Sequence, residues 1–403
     1  MEKLMVFFAS AFDHRRIDRE HTPYLSSLME RYPVTRINNL PETDLDSTLM
    51  TGLYPHEHKM WEVRLKSEDI INTSSALDYV PDIITTTSQC FIHLYTGSFD
   101  LASVPYWRRR RFEIFKNRFI KKELKRYLKI NGVDSFFNII GESNCNYVYN
   151  TKLDKLDQIL PSLFYKDLRF ELIQTHGIDT LQHWFLDNKE KMIDSYNKVD
   201  RYIKFLHSEC EKKGITLMIL AEHGMELVKN SVDIIQKIRE LGIKNDEITY
   251  YIEAPKARFW FHSDSAREKM LNYLSGNPDG VVLSRQDMHK FNVKFEDDSY
   301  GEYYFVLNPG TVFFPNDFYQ PLGNLYMGLT NKQHRSKLLN PVYRGYHGYL
   351  PHNDSEKGTL MLLHGDYKTD RDEIQIIDVA PTIINLLGID QPSALKGQSA
   401  FHR

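Results

Sequence analysis

The chain is poor in cysteine, has no long apolar run and carries almost no net charge, and each shortage removes a class of protein. Cys90, Cys145 and Cys210 are an odd set without the paired spacing of a zinc site, so free thiols in a reducing, cytoplasmic setting are expected. No segment approaches the ~20 apolar residues of a membrane span. The apolar start, Met1 to Ser10, meets Asp13, His14, Arg15 and Arg16 before it reaches signal-peptide length, and it reads as a first strand. A formal charge of -3 makes no global case for nucleic acid as a partner, so any basic function must be local. There is no internal repeat and no low-complexity tract.

What is present is an ordinary globular composition, 41% hydrophobic and 26% charged over 403 residues. At roughly 150 residues per domain that length implies two or three units, or one large core with insertions. Leu4 to Phe12 is β-rich and ends on Asp13, where an open α/β sheet presents side chains to a ligand. Thr22-Pro23-Tyr24-Leu25 opens a capped helix, and Val34 to Ile37 is a short strand before the loop that runs to Asp44. Ser47 to Met50 reads as a helical turn closed by Thr51-Gly52. The character changes at 104–129, where the block Arg108 to Arg111 precedes further lysines and arginines on what reads as a helix. The α/β rhythm resumes with a strand at Phe170 to Gln174, a helix from about Lys189 to Lys212 stopped by Gly214, and a strand at Ile215 to Leu220. From Ile248 to Pro321 the sequence turns aromatic and strand-like, the pattern of a smaller α+β unit. The strand Thr359 to Leu363 and a glycine-capped helix ending at Gly388 close the core. The expected division is core at 1–103, a basic helical insertion at 104–150, core at 151–247, a cap at 248–340 and core again at 341–403.

Asp13, Asp179, His183, Glu222, His223 and His347 all fall at strand ends or in the loops just after them. Carboxylate and imidazole groups are the side chains that hold a divalent metal. Any one of them alone is an ordinary cap or surface residue; six in matching positions point to a metal site.

These residues sit in motifs: Thr51-Gly52-Leu53-Tyr54-Pro55-His56-Glu57-His58, Asp179-Thr180-Leu181-Gln182-His183, Ala221-Glu222-His223-Gly224-Met225, Gly345-Tyr346-His347-Gly348-Tyr349 and Asp378-Val379-Ala380-Pro381-Thr382. With Asp13 after the first strand and Thr22 to Leu25, they resemble the alkaline phosphatase superfamily, most closely its type I phosphodiesterase/nucleotide pyrophosphatase branch. The resemblance implies an α/β fold, a three-layer αβα sandwich with an inserted basic helical segment and an α+β cap. It implies one metal held by Asp179, His183 and His347 and a second held by Asp13, Glu222 and His223. Mixed histidine and carboxylate ligands suit zinc, and manganese suits sites where carboxylates dominate. The implied reaction is hydrolysis of a phosphodiester or nucleotide pyrophosphate, and the implied partner is a small phosphorylated substrate. Thr43 is the best candidate for the nucleophile, although its spacing to Thr51 is one residue short of the family pattern and Asp44 stands where a neutral residue is expected. Ser47 and Thr48 remain alternatives, and Thr43 or Asp44 can equally be a helix cap. Glu222 replaces the usual aspartate, and Lys59 replaces the glycine after His58.

Lys59 and His352 are candidate substrate contacts, Lys59 having a plain reading as a solvated lysine. His56, His58, His176 and His364 are left as outer contacts of the site. Arg108 to Arg111, beside Tyr106 and Trp107, can be read as a nucleic-acid patch, as a guide for an anionic substrate, or as a solvated face or homo-oligomer contact; the last is preferred, so nucleic acid is not the expected partner. Within the enzyme class the alternatives are a phosphomonoesterase, a phosphonate hydrolase or a phosphomutase; a sulfatase is disfavoured because no cysteine stands near Thr43. The alternative outside that class is a family member with an impaired site that binds a polyanion.

Overall fold

The computed structural model describes residues 2–41, 45–60, 63–66, 76–81, 84–88, 104–114, 123–165, 167–319, 325, 329, 341–364 and 367–402. Thr43, Asp44 and Cys90 lie outside the described residues. The chain divides into two compact units, one formed by residues 1–60, 122–227 and 350–403, the other by 61–121 and 228–349. No helix among the described residues is long and apolar enough to cross a membrane.

The first unit is a helix-covered sheet. Its strands are β1 (Leu4–Ala9), β2 (Thr35–Asn38), β3 (Cys145–Asn150), β4 (Phe170–Thr175), β5 (Thr216–Ala221), β6 (Gly358–Leu363) and β7 (Glu373–Gln375). They lie in the order β7-β2-β6-β5-β1-β4-β3. β1 runs parallel to both β4 and β5, with Leu4 opposite Phe170 and Thr216, whereas β6 is antiparallel to β5 and β2. β1, β4 and β5 are buried along their whole length, the mark of strands covered on both faces.

On one face Met5, Phe7 and Ala9 pack with the long helix Lys189–Lys213 through Tyr196, Val199, Ile203, Leu206 and Cys210, which recur at helical spacing. That helix starts where the Asn188 side chain accepts a hydrogen bond from the Lys191 backbone N–H, and it stops at Gly214 in the left-handed conformation, as the sequence predicts. On the other face Phe170 meets Phe136 and Phe137 of the short helix Phe136–Ile140, against which the helix Val379–Leu386 packs. Sheet between helices gives the three αβα layers that the resemblance implies. Because β1, β4 and β5 are parallel, their C-terminal ends open on the same edge, and every first-unit candidate ligand follows one of those ends.

The second unit has a four-stranded antiparallel sheet in which Ile248–Ile252 and Tyr303–Leu307 flank Lys256–Phe261, and Gly280–Ser284 forms the far edge. The helix Asp264–Ser275 buries Ala266, Met270 and Leu274 in this unit's core with Phe259, Phe305 and Phe313.

Most of the lysines and arginines expected on a helix after the Arg108 to Arg111 block fall at 115–122. Tyr106–Arg109 is a single turn, Phe112–Ile114 is a strand paired with Val63–Leu65, and Leu124–Tyr127 is a separate turn; 115–122 lie outside the described residues. The arginine block is also not a solvated face. Arg108 and Arg111 are buried: Arg108 donates to both oxygens of Asp317, at 2.6 and 3.2 Å, and to the Tyr250 carbonyl, while Arg111 donates to the Thr249 hydroxyl. The acid Asp317 that neutralises Arg108 stands 209 positions away in the sequence, where a local reading has no access to it.

Candidate metal centre and active site

The edge of the sheet is built on rigid backbone. After β1 the chain turns through Ala11, at φ +59°. The turn is held from several elements: Gln182 donates to the Ala11 carbonyl, Thr359 donates to the Phe12 carbonyl, and the Tyr196 hydroxyl accepts from the Asp13 N–H and donates to Gln182. Asn39, just past β2, donates to the carbonyls of Glu222 and Glu356. These bonds tie the loops after β1, β2 and β5 into one frame.

Asp179 and His183 lie four residues apart on the helix Gly177–Phe185 that follows β4, with His183 Nε2 3.5 Å from Asp179 Oδ1. Glu222 and His223 follow β5 and are buried, with His223 Nε2 3.3 Å from Glu222 Oε1. Ligand atoms of Asp179 and His223 lie within 4.8 Å of one another, so the residues after β4 and β5 meet. His223 Nδ1 donates to the Gly224 carbonyl at 2.8 Å, which leaves Nε2 as its ligand atom. Burial works against charge on both Glu222 and His223. Their mutual attraction overcomes it, with Asp179 adding to the effect on His223, so Glu222 is held below the usual carboxylate range and His223 is pushed up to about 10.

The family pattern implies divalent metal here, and the residues can be tested for fit. Among the described residues, Oε2 of the buried Glu222 has no hydrogen-bond partner, an expensive state for a carboxylate oxygen unless a cation takes it. Glu222 lies against His223, and Asp179 and His223 bring ligand atoms within 4.8 Å of one another; carboxylate and imidazole donors of this kind fit a cation of the zinc or manganese type.

Asp13 does not fit in the same way. It is fully buried, and its carboxylate caps the turn His14–Arg16. Oδ1 accepts from the Arg15 backbone N–H and Nε, each at 3.0 Å; Oδ2 accepts from Arg15 Nη2 at 2.7 Å, Nε at 3.2 Å and the Met225 N–H at 3.4 Å. Burial disfavours the guanidinium charge, but the Asp13 carboxylate, helped by Glu226, raises the Arg15 pKa nonetheless. At the very end of β1 stands Ser10, whose hydroxyl donates to Glu222 Oε1.

His347 belongs to the second unit, directly after the strand Gly345–Tyr346 and stacked on Tyr346 with ring centroids 5.9 Å apart. Lys59 is exposed and takes the left-handed conformation, φ +56°, that ends the turn Pro55–His58. His352 is exposed. Of the alternative nucleophiles, Ser47 and Thr48 are buried on the helix Leu45–Thr51. His58 Nδ1 accepts from the Met60 N–H, so Nε2 carries the proton and donates to the Thr48 hydroxyl at 3.0 Å; this histidine is not a base for Thr48.

Sequence reasoning passed over Ser10, Arg15, Asn39 and Asp46. Asp46 is half-buried in the first turn of Leu45–Thr51; its carboxylate accepts from Gln174 Nε2 at 3.2 and 3.3 Å, and its charge reaches Glu222. Its position five residues before the Thr51-Gly52 turn was the available signal.

A family model described as type I phosphodiesterase / nucleotide pyrophosphatase matches residues 6–313. No curated protein matches the chain. Among solved structures, murine ectonucleotide pyrophosphatase / phosphodiesterase 5, an inactive variant in complex with AMP, is similar with a TM-score of 0.63 at 12% identity, covering 99% of this chain and 97% of that one. The human ectonucleotide pyrophosphatase / phosphodiesterase 5 is similar with a TM-score of 0.62 at 14% identity and the same coverage. At such identities the likeness concerns the fold.

Proposed function

Because the chain belongs to the type I phosphodiesterase / nucleotide pyrophosphatase family, we propose that it is a metal-dependent hydrolase of phosphate esters that cleaves a phosphodiester or nucleotide pyrophosphate bond. The observation that carries this reading is the meeting of Asp179 and His223 after two parallel strands, next to a buried Glu222 oxygen without a hydrogen-bond partner among the described residues. A divalent cation bound there would supply Lewis-acid stabilisation of charge on the phosphoryl oxygens. Zinc is the preferred identity for mixed histidine and carboxylate donors, with manganese the alternative. The chain's own part is to fix the donors. Gly224 sets the His223 tautomer, the helix after β4 presents Asp179 with His183, and Asn39 anchors the backbone that carries Glu222. The family pattern adds His347 as a ligand and Thr43 as the nucleophile that attacks phosphorus. The AMP complex of the murine relative supports a nucleotide-class substrate. A reducing, cytoplasmic setting is part of the same proposal and rests on the odd cysteine count of the sequence alone.

The test is a panel of 4-nitrophenyl diester, monoester, phosphonate and sulfate substrates with Mn2+ or Zn2+ and with chelator. Diester turnover that disappears with chelator, and falls at least ~10³-fold in Thr43→Ala, is expected. Full diesterase activity in a His183→Ala, His347→Ala double variant would refute the proposal. A second reading, a family member that binds phosphorylated ligands without turnover, is favoured by one observation, the engagement of Asp13 by Arg15. Metal binding without turnover of any substrate in the panel is its signature.

A further inference from the structure

Glu222 is one methylene longer than the aspartate of the family pattern, so its carboxylate has one more rotatable bond to be fixed before it can serve as a ligand. The structure holds it from both ends. Its backbone carbonyl accepts from Asn39 Nδ2, its Oε1 accepts from the Ser10 hydroxyl, and the same oxygen lies 3.3 Å from His223 Nε2. His176 and Asp46 act on it through their charge. Oε2 has no hydrogen-bond partner among the described residues, although the residue is only 5% exposed. The two oxygens are therefore unequal, one held and one open. Because Nε2 is the ligand atom of His223, a bound cation would take that nitrogen and leave Ser10 as the donor that holds Oε1.

Ser10 stands on backbone fixed by the sheet. It is buried, directly follows β1, and donates its N–H to the Thr175 carbonyl at 2.9 Å, which carries the bonding between β1 and β4 one step past the strand. A hydroxyl also suits the task chemically. It donates to the carboxylate without bringing a charge, so Glu222 keeps the negative charge that a cation needs, whereas a lysine or arginine in the same place would cancel it. We infer that Ser10 is a positioning residue for cation binding: it holds Oε1, restricts the rotation that the longer side chain would otherwise keep, and leaves Oε2 as the oxygen available to the cation.

The inference rests on the metal-dependent reading above, and Mn2+ affinity separates the two. Chelator-stripped, full-length protein is titrated with Mn2+, and the free ion is followed by electron paramagnetic resonance. Ser10→Ala should weaken binding by about 10–100-fold, the range for losing a hydrogen bond to a metal ligand, and Ser10→Thr, which keeps the hydroxyl, should restore most of it. Glu222→Gln should weaken binding at least as much, and adding Ser10→Ala to it should weaken binding no further, because both act through one carboxylate. A merely structural serine would lower the melting temperature of the metal-free protein in Ser10→Ala and leave Mn2+ affinity unchanged. That result overturns the inference, as does a Ser10→Ala loss that persists in full beside Glu222→Gln, and either leaves the proposed function standing. No Mn2+ binding by the wild type overturns both. Should Ser10→Ala fail to fold, Ser10→Cys decides: its thiol is a weaker donor, so binding should again weaken, and wild-type affinity overturns the inference.

Discussion

Arg108 and Asp317 allow a sharp test of the second unit, because the sequence and the structure assign opposite environments to the same arginine. Both side chains are almost wholly buried, with Nη2 2.6 Å and Nη1 3.2 Å from the carboxylate. Asp317 also accepts from the Ile252 N–H at 2.7 Å, and the guanidinium lies 4.1 Å from the Tyr250 ring centroid. Replacing Asp317 by alanine leaves a buried guanidinium without its countercharge and the Ile252 N–H without its acceptor, at a cost of about 3–5 kcal/mol. Arg108→Met should cost a similar amount by stranding the acid. The Arg108→Met, Asp317→Leu double variant should be far less costly, about 1 kcal/mol or less, because both charges then avoid desolvation. Consistent with that, burial drives the Asp317 pKa up and Arg108 offsets it only in part. Urea unfolding followed by tryptophan fluorescence reads the second unit through Trp107 and Trp260, which lie in its core clusters. Single variants costing less than about 1 kcal/mol, the range of exposed ion pairs, would refute the buried pair and restore the solvated reading of the arginine block.

Two further outcomes follow from the frame around the site. Burial, with His56 adding repulsion, lowers His58 to about 3. The unfolded ring keeps a value near 6.5, so the unfolded state binds the extra proton between those limits. The contribution is therefore complete above about pH 6.5 and is lost as pH falls toward 3, by about 5 kcal/mol in all. His58→Gln should flatten stability measured by urea titration across that window, and an unchanged pH slope would count against the buried neutral ring. Gly224→Ala places a methyl group 2.9 Å from the Asp13 carboxylate and from the Ser355 carbonyl. A loss of about 1–3 kcal/mol is expected from forced displacement, read as a lower melting temperature together with weaker Mn2+ binding; an unaltered melting temperature would show that the loop yields freely.

The fold was legible because its signals are local and repeated. Apolar runs ending in Gln174 and Ala221, a long amphipathic helix and the Gly214 stop each follow from a few adjacent residues, and the structure has strands and a helix there. The placing of Asp179 and His223 at one edge of the sheet was legible for the same reason, since each follows the end of a buried strand. The Arg108 pair was not, because its partner is remote in sequence. Asp13 is the instructive intermediate. Its type and region matched a metal ligand, but β1 ends at Ala9 and the chain turns at Ala11 before reaching it, so the carboxylate belongs to a turn and Ser10 holds the strand end. Arg15 was visible two residues away all along. Adjacency in sequence does not say whether two opposite charges face each other or diverge; here the cap geometry decides, because the turn that bonds the Arg15 N–H to Asp13 also brings the guanidinium back over the same carboxylate.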